Sequence, residues 1–393
     1  MIHRRLWISF NRITLAAWCL LLAGSLRAEE EVPAEANNTL VRARELVEQL
    51  SSPRYSEREA ASDALAKLGE DARTALNEAL KIPEAETRLQ VRRVLARIEQ
   101  DAFQRRIDAF LADADPEADH GLPAWPRFRD LVGSDRPARE MFVGMLKAEG
   151  DLLATAANVP RSAAQSFYLR LQQLQTESSS QGREIDAASL AAVFFIASDE
   201  RVPVGTGTDS LLYRFCSHSG VEQALQSKNE ESLMRRIVGA WIASGRGGYY
   251  SLRLAMQHEL PEGLSAAQKM LEGETPSYYR QYAILTFAKL GNKKDHVPAV
   301  MELLDDATVC TTHRVNNETF QTQFRDIALV VILHLCGEDP EDYGFERIRP
   351  HSQYVYSPYT LGFKGEEDRS AAFSQWEKAK PRLDLPAAED EKE

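Results

Sequence analysis

Three cysteines each have a histidine close by in the sequence, and these pairs are the residues best suited to metal chemistry. The pairs are Cys216 with His218, Cys310 with His313, and Cys336 with His334. Thiolate and imidazole groups are good zinc and copper ligands. Residues two apart on a helix point to nearly opposite sides, however, so His334 and Cys336 make a poor chelate. Buried thiols beside scattered surface histidines explain the pattern better. We therefore expect no metal site and no cofactor, with Cys310 and His313 as the strongest remaining candidates.

The sequence lacks the motifs that mark common catalytic sites. The run from Gly205 to Ser210 is the nearest to a phosphate-binding loop, but it has no lysine and no preceding strand. It predicts instead a loop that ends at a helix N-terminus. No G-x-S-x-G, H-E-x-x-H or C-x-x-C-H run occurs. A triad assembled in space stays open, but no residue pattern points to one, so we predict no catalytic residues and favour a non-enzymatic protein.

The first 28 residues have the pattern of a secretory signal peptide. Residues 1–12 carry three arginines, residues 13–23 are apolar except for Thr14, and Ala28 precedes an acidic run. The apolar stretch is about half of the roughly 20 residues that a transmembrane helix needs. We therefore expect an exported protein, periplasmic or secreted, with no integral membrane segment after cleavage. Cleavage after Ser25 and an uncleaved anchor are the alternatives.

The charge balance argues against two classes of partner. The 393 residues carry a formal charge of −12, and removing the four arginines of the first 28 residues leaves 43 basic against 59 acidic residues, or about −16. An acidic chain gains nothing from the release of phosphate counterions, so we expect no nucleic-acid partner. The same charge opposes adhesion to an anionic membrane surface.

One pattern recurs along the chain, namely an arginine followed by apolar residues at positions +3, +7 and +10. It is complete at Arg58 (Ala61, Leu65, Leu68), Arg88 (Val91, Leu95, Ile98), Arg280 (Ala283, Phe287, Leu290) and Arg325 (Ala328, Ile332, Leu335), and it is nearly complete at Arg235 (Val238, Ile242). At about 100° per residue these positions fall within an arc of roughly 80°. Each window therefore predicts a helix with one apolar stripe and an arginine at the edge of the stripe. The last three arginines are each 45 residues apart.

The residues around these windows predict helix ends and turns. Residues 56–59 form a capping-box sequence, and Gly69 and Gly291 directly follow the last apolar position, where a left-handed C-cap favours glycine. A shorter apolar helix precedes several copies, with prolines in the turns between. The chain thus resembles the HEAT-repeat family, including HEAT repeats of exported bacterial proteins, most clearly at residues 40–98 and 264–337.

The resemblance implies an all-α fold in which HEAT-type helical hairpins stack into an α-solenoid. In the family, an acid in the turn and the arginine of the second helix often form a ladder between repeats. The candidate acids here are Glu57, Glu84, Glu230, Glu272 and Glu318. The alternative is that these acids are exposed charges that contribute little.

Composition shifts along the chain suggest six segments. They are the signal peptide (1–28), N-terminal HEAT-like repeats (29–112), a helical middle region (113–230), further HEAT-like repeats (231–337), an aromatic-rich C-terminal cap (338–380) and a disordered tail (381–393). Within the middle region, Pro160 marks a possible helix break and the serine-rich residues 176–183 predict an exposed loop.

Eight aromatic residues crowd into the proposed cap. They are Tyr343, Phe345, Tyr354, Tyr356, Tyr359, Phe363, Phe373 and Trp376. A solenoid must cover its open end, which favours a cap. An aromatic platform for a sugar or peptide ligand is the alternative interpretation.

The sequence therefore favours a non-enzymatic exported scaffold that binds a protein or peptide partner along an extended face. The alternative is an enzyme or enzyme accessory with an unrecognised site between Trp125 and Ala243. A deep polar pocket lined by His218 or His258 would favour that alternative. A structural envelope component, in which the repeats only pack, is the third possibility.

The repeat interpretation gives a stability prediction. Replacing Arg280 with alanine should lower the melting temperature, because the arginine is expected to join neighbouring repeats. Thermal denaturation of the variant and the parent chain measures this, and a change within experimental error counts against the interpretation.

Overall fold

The computed structural model describes residues 34–385, apart from residues 114, 116, 206 and 227–231. The predicted signal peptide lies outside the described residues. The described part of the chain is predominantly helical, which confirms the all-α prediction at the level of secondary structure. In this part of the chain no helix is both long and apolar enough to cross a bilayer. The chain divides into two compact units, residues 1–108 and residues 109–393.

The first unit is built from paired helices. They are α1 (Ala34–Gln49), α2 (Tyr55–Leu68), α3 (Arg73–Ala79) and α4 (Ala85–Ala112), with a short 3-10 helix at Gly69–Ala72. Helix α1 packs against α2 and α3. One apolar cluster fills the space between them, and Leu65, Leu76 and Val91 are fully buried in it. The apolar stripes predicted at Arg58 and Arg88 therefore face this common core.

The two helix–turn–helix connections of the first unit are copies of one another. After α1, the amide of Ser52 donates to the carbonyl of Gln49, and after α3 the amide of Ile82 donates to the carbonyl of Ala79, both at 3.1 Å. The turns also touch, because the hydroxyls of Ser51 and Thr87 lie 2.9 Å apart. The same backbone pattern thus recurs 30 residues later along the chain.

Two helix ends in the structure differ from those that the sequence predicted. The capping box at residues 56–59 is wrong, because α2 begins at Tyr55 with Arg54 as its N-cap and no side-chain cap. Glu57 instead accepts hydrogen bonds from Ser52 and Arg54. Gly291 is not a left-handed cap, since its φ is −81°. It is needed for space, because a Cβ there would lie 2.5 Å from the carbonyl oxygen of Phe287.

The second unit contains the remaining elements. Its helices are α5 (Trp125–Val132), α6 (Arg136–Asn158), α7 (Pro160–Gln181), α8 (Ala187–Ala197), α9 (Thr208–Phe215), α10 (Ser219–Gln226), α11 (Leu233–Ala243), α12 (Gly248–His258), α13 (Glu262–Glu272), α14 (Ser277–Leu290), α15 (Lys293–Met301), α16 (Phe324–Cys336) and α17 (Glu366–Ala379). Its strands are β1 (Val309–Val315), β2 (Glu318–Gln323), β3 (Pro350–His351) and β4 (Val355–Tyr356).

Helices of the second unit contact one another in series. Helix α8 packs between α6 and α11, α13 packs between α11 and α14, and α14 packs against α16. Every residue of α8 from Ser189 to Ala197 is buried, as its apolar sequence predicts. The break predicted at Pro160 is confirmed, since α6 ends at Asn158 and α7 begins at Pro160. The loop predicted at 176–183 is wrong for residues 176–181, which continue α7.

A β-hairpin interrupts the last helices and departs from an all-α fold. Strands β1 and β2 pair antiparallel around Asn316 and Asn317. Both asparagines have positive φ, 49° and 66°, as the two central residues of a tight hairpin turn require, and asparagine tolerates this conformation. The segment was short and polar enough to lack a clear alternating pattern, so the sequence did not predict it.

The segment after α16 returns to the hairpin and is held there. Gln321 and Phe363 exchange backbone hydrogen bonds of 3.0 and 3.1 Å. Gly362 permits this approach, because a Cβ there would lie 2.6 Å from the backbone of Gln321. The prediction of a disordered tail from residue 381 is wrong for residues 381–385, since a 3-10 helix covers Lys380–Arg382 and Leu383 is buried. Residues 386–393 lie outside the described part.

A buried ion pair fastens α17 to α16. Arg369 donates to both carboxylate oxygens of Asp326, at 2.8 and 3.2 Å, and to the carbonyl of Gln321 at 2.9 Å. The side chains of Arg369 and Asp326 are only 5% and 0% exposed. Neither charge can be rehydrated in place if the other is removed.

Removing this arginine should therefore be costly. We expect Arg369→Ala to lower the free energy of unfolding by about 3–5 kcal/mol, because it leaves the Asp326 carboxylate buried without its partner. Chemical denaturation measures the change. The matched control is Lys364→Ala, which breaks an exposed pair with Glu318 and should cause no measurable change. Equal effects of the two substitutions would contradict the role of the buried pair.

Candidate binding site

The repeat arginines of the first unit bind backbone carbonyls. Arg58 and Arg88 are each the fourth residue of their helix, α2 and α4. Arg58 donates to the carbonyl of Ser52 and Arg88 to that of Ile82, both at 2.8 Å. Each acceptor lies three residues beyond the end of the preceding helix. The arginine thus holds the turn in front of its own helix.

Leu65 of the apolar stripe is buried, while Leu95 is partly buried against the same core.

The repeat arginines of the second unit have mixed partners. Arg235 donates to the carbonyl of Leu225 at 2.9 Å. Arg280 lies 3.5 Å from Asp306 and its guanidinium sits 4.6 Å from the ring centre of Phe324. Asp306 also accepts the backbone amide of Arg325, so it connects two repeat arginines. The stripe residues Phe287 and Ile332 are buried.

The predicted acidic ladder is wrong in its choice of acids. Glu57 pairs with Arg54, and Glu318 pairs with Lys364, rather than with the repeat arginine nearby. Arg325 pairs instead with Glu366, which lies 41 residues further along the chain. Glu230 lies outside the described residues. The acids that do reach repeat arginines, Asp306 and Glu366, come from later parts of the chain.

The cysteine–histidine pairs do not converge. Among the described residues no group of three His, Cys, Asp or Glu side chains could hold a metal ion. Cys310 donates to the carbonyl of Thr322 at 3.2 Å, and burial raises the pKa of its thiol to about 12. His313 lies three residues along the same strand and contacts the ring of Tyr359. The strand register shifts between Val309 and Thr311, around Cys310, and the two side chains have separate partners.

The two candidate histidines of the middle region are absent from the lining of the cavity described next. A cavity of about 700 Å³ opens there, lined by Val159, Pro160, Arg161, Ser162, Glu200, Arg201 and Pro203. Neither His218 nor His258 is in this lining. Burial and the nearby Arg235 lower the pKa of His258, so its imidazole stays neutral at physiological pH.

A buried carboxylate in the same region is already fully engaged. Glu149 is 5% exposed and accepts three hydrogen bonds from Arg170 at 2.8–3.0 Å. The hydroxyl of Ser189 donates a fourth at 2.8 Å. A buried carboxylate paired with an arginine in this way stabilises the packing of α6 against α7.

The most distinctive surface of the second unit consists of tyrosine rings. The tyrosine surface comprises Tyr213 of α9, Tyr249 and Tyr250 of α12, Tyr278, Tyr279 and Tyr282 of α14, and Tyr354 and Tyr359 of the segment after α16. Ring contacts link α9 to α12 (Tyr213 with Tyr250, 5.3 Å), α12 to α14 (Tyr249 with Tyr282, 4.8 Å) and α14 to the later segment (Tyr282 with Tyr354, 4.9 Å). The rings thus form one continuous group on four parts of the chain.

Tight turns put the tyrosine pairs at the first turns of their helices. Gly247 lies so close to α11 that a Cβ would be 2.7 Å from the ring of Trp241. Helix α12 begins at Gly248, directly after this close approach. Tyr249 and Tyr250 therefore lie in its first turn. Pro276 similarly precedes α14, where Tyr278 and Tyr279 follow Ser277. The first turn of a helix is less covered by its neighbours, which leaves these rings accessible.

The tyrosine hydroxyls bond to one another. Those of Tyr249 and Tyr354 lie 2.7 Å apart, and Tyr282 donates to Tyr278 at 3.3 Å. Tyr278 also shares a hydrogen bond with Tyr359. Burial raises the pKa of Tyr282 and of Tyr354, so both stay protonated at physiological pH. The surface therefore combines fixed ring positions with uncharged hydroxyl groups.

Four of the eight rings are open to solvent. The exposed fractions are 37% for Tyr250, 47% for Tyr278, 39% for Tyr279 and 39% for Tyr359. Rings that are large, fixed and half-exposed offer apolar area at little cost in conformational entropy. This arrangement suits binding through ring faces.

Sequence reasoning found only part of this surface. Of the aromatic residues predicted for the C-terminal cap, Tyr354 and Tyr359 belong to it, whereas Tyr343, Phe363 and Trp376 are buried elsewhere in the core. The tyrosine pairs at the starts of α12 and α14 were missed. Two adjacent tyrosines directly after a glycine or proline turn are the signal that could have identified them.

Comparison of the chain with family models, with curated proteins and with solved structures finds no match. Any function assigned to it must therefore come from its own residues.

Asp209 gives the middle region a pH-dependent stability. It lies in the first turn of α9, and its Oδ1 is buried without a hydrogen-bond partner. Burial raises its pKa to about 6, against the opposing charge of Arg246. The folded state thus holds this proton more tightly than the unfolded state, so stability falls as pH rises from about 4 to about 6.

We expect Asp209→Asn to remove the fall in folding stability that the parent chain shows as pH rises. The variant should match the parent at pH 4 and exceed its free energy of unfolding by about 1–2 kcal/mol at pH 8, after allowance for partial solvent exposure. Urea denaturation at both pH values measures the difference. An identical difference at pH 4 and pH 8 would show that the carboxyl is not the titrating group.

Proposed function

We propose that this chain is a non-enzymatic, exported scaffold that binds a protein or peptide partner through the tyrosine surface. The observation that carries the proposal is the group of half-exposed tyrosine rings on α12, α14 and the segment after α16, which pack on the buried rings of Tyr282 and Tyr354. Tyrosine is enriched where proteins bind other proteins, because its ring supplies contact area and its hydroxyl a hydrogen bond. The export part rests on the signal-like first 28 residues.

Repeat architecture supports the scaffold part of the proposal. The serial contacts of α11, α13, α14 and α16 suit a stack of HEAT-type hairpins, in which each unit packs only on its neighbours. The copied turns of the first unit, 30 residues apart, suit the same principle. We therefore propose that both units belong to the HEAT-repeat class, with an α-solenoid as the organising architecture of the second.

The segment from residue 338 to 380 would close the last repeat. Trp376 and Phe363 are buried and α17 is fastened to α16 through Arg369, as a terminal cap requires. The same segment supplies Tyr354 and Tyr359 to the tyrosine surface. The cap and the ligand platform are thus compatible roles of one segment.

The test compares partner capture by matched variants. The exported chain is crosslinked in its own envelope fraction, and partners that copurify are quantified for the parent, for a Tyr278→Ala/Tyr279→Ala variant and for Tyr168→Ala. Tyr168 is the control because it is 41% exposed on α7 and its hydroxyl accepts a hydrogen bond from Gln172 of the same helix.

We expect the double variant to lose at least about tenfold of its specific partner, as removal of aromatic anchors usually causes. The Tyr168→Ala control should capture as much as the parent. Capture that is unchanged in the double variant would refute the tyrosine surface as the binding site, and thermal denaturation of each variant checks that it remains folded.

A further inference from the structure

We propose that a cavity lined by β2, the segment after α16 and α17 binds a small zwitterionic ligand, namely a free amino acid or a short peptide. This cavity, the Arg347 cavity, has a volume of about 530 Å³ and shares no lining residue with the tyrosine surface. The inference therefore goes beyond the proposed function. It follows from a guanidinium nitrogen without a protein partner, from the acids that line the same space and from the aromatic walls.

The guanidinium of Arg347 lies against an aromatic ring and has one nitrogen without a partner. Its Cζ lies 3.6 Å from the ring centre of Phe320. Its Nη1 is buried and has no hydrogen-bond partner among the described residues. Three arginines of neighbouring elements differ, since each pairs with a carboxylate: Arg325 with Glu366, Arg369 with Asp326, and Arg382 with Glu338. A buried donor without an acceptor is costly, so this position suits an acceptor that a ligand supplies.

The backbone on both sides of Arg347 is held in place. Phe345 and Ile348 are buried, and the amide of Ile348 donates to the carbonyl of Phe345 at 3.0 Å. The charged side chain therefore starts from a fixed turn, and its contact with Phe320 orients the guanidinium. A carboxylate matches a guanidinium plane, because its two oxygens can accept two parallel N–H groups. Arg347 thus favours a ligand with a carboxylate.

The other charged groups of the lining leave an excess of acid. Lys364 pairs with Glu318. This hydrogen bond raises the pKa of Lys364, and the charge of Asp368 raises it further. Two carboxylates therefore act on one ammonium group, and Glu346 adds a further exposed acid to the lining. These acids repel a phosphate or another dianion, but they attract a ligand that carries an ammonium group beside its carboxylate.

The walls and the volume of the Arg347 cavity suit an organic ligand rather than a bare ion. Phe320, Phe345 and Phe363 line it, and the ring centres of Phe345 and Phe363 lie 4.8 Å apart. Cavities that bind small organic ligands have volumes of about 300–1,000 Å³, and the Arg347 cavity lies in this range. A ligand with an aromatic side chain can pack against the phenylalanine rings.

The experiment measures the binding of L-phenylalanine to the full-length exported chain by isothermal titration calorimetry. L-Phenylalaninamide keeps the ring and the ammonium group but lacks the carboxylate, whereas N-acetyl-L-phenylalanine keeps the carboxylate and lacks the cation. Arg347→Met removes the charge and keeps an unbranched apolar side chain beside Phe320. Arg349→Met is the matched control, because Arg349 is exposed two residues further along and is not in the lining.

We expect saturable binding of L-phenylalanine and at least tenfold weaker binding of the amide, because a hydrogen bond between two charged groups contributes more than a neutral one. Arg347→Met should cause a similar loss, and Arg349→Met should cause none. Asp368→Asn should weaken the binding of L-phenylalanine and leave that of N-acetyl-L-phenylalanine unchanged, because only the first ligand has a cation for Asp368 to attract.

Glycyl-L-phenylalanine distinguishes the two sources of the ligand. Tighter binding of this dipeptide than of L-phenylalanine identifies a peptide with a free C-terminus, and the reverse order identifies a free amino acid. No binding of either compound, or equal binding of the acid and the amide, would overturn the proposal. Both results come from the parent chain, so they decide the question even if Arg347→Met fails to fold, which thermal denaturation reveals. Parent-like affinity of a folded Arg347→Met variant would overturn it as well.

Discussion

The buried ion pair between Arg369 and Asp326 is the constraint on which the candidate site depends. Asp326 caps α16 through its contact with the backbone of Gln323, and the same carboxylate holds the guanidinium of α17. That guanidinium also binds the carbonyl of Gln321 in β2. One charged pair therefore fixes three elements at a single point. Because a buried charge without its partner is strongly unfavourable, this point has essentially one arrangement. The segment that carries Tyr354 and Tyr359 runs from α16 to α17, the two helices that the pair joins.

The tyrosine surface is in turn built on elements that pack together, since α12 contacts both α9 and α14. Helices α12 and α14 contribute rings from their first turns, and the later segment supplies Tyr354, whose hydroxyl binds Tyr249 of α12. Each hydroxyl pair fixes the position of two rings at once, which lowers the entropy that a ligand would have to remove on binding. Preorganisation of this kind also explains why the surface is half-exposed rather than collapsed.

Periodicity in the sequence predicted the helices because a buried stripe must repeat every three to four residues, and Leu65, Phe287 and Ile332 are buried as expected. It could not predict the ion pair, since Arg369 and Asp326 lie 43 residues apart and carry no local signal. The hairpin at Asn316 and Asn317 was missed because its local sequence signal is only two residues long. The tyrosine surface was difficult to predict both because its local signals are short and because its members are far apart in the sequence. Its members are short local features, and only packing brings them together.

The different partners of the repeat arginines have a physical explanation. In the first unit, Arg58 and Arg88 bind the carbonyl oxygens of the turns before their helices, groups that every sequence supplies. A charged donor satisfies these otherwise unpaired acceptors whatever side chains the turn carries. An arginine can therefore recur at this position without an accompanying acid. In the second unit, the Asp306 carboxylate pairs with the Arg280 side chain of α14, and its carbonyl accepts the backbone amide of Arg325 in α16, so one residue contacts both helices. The arginine alone thus recurs in the pattern, without a matching acid. An acid pairs with it only where a later element of the chain lies close enough.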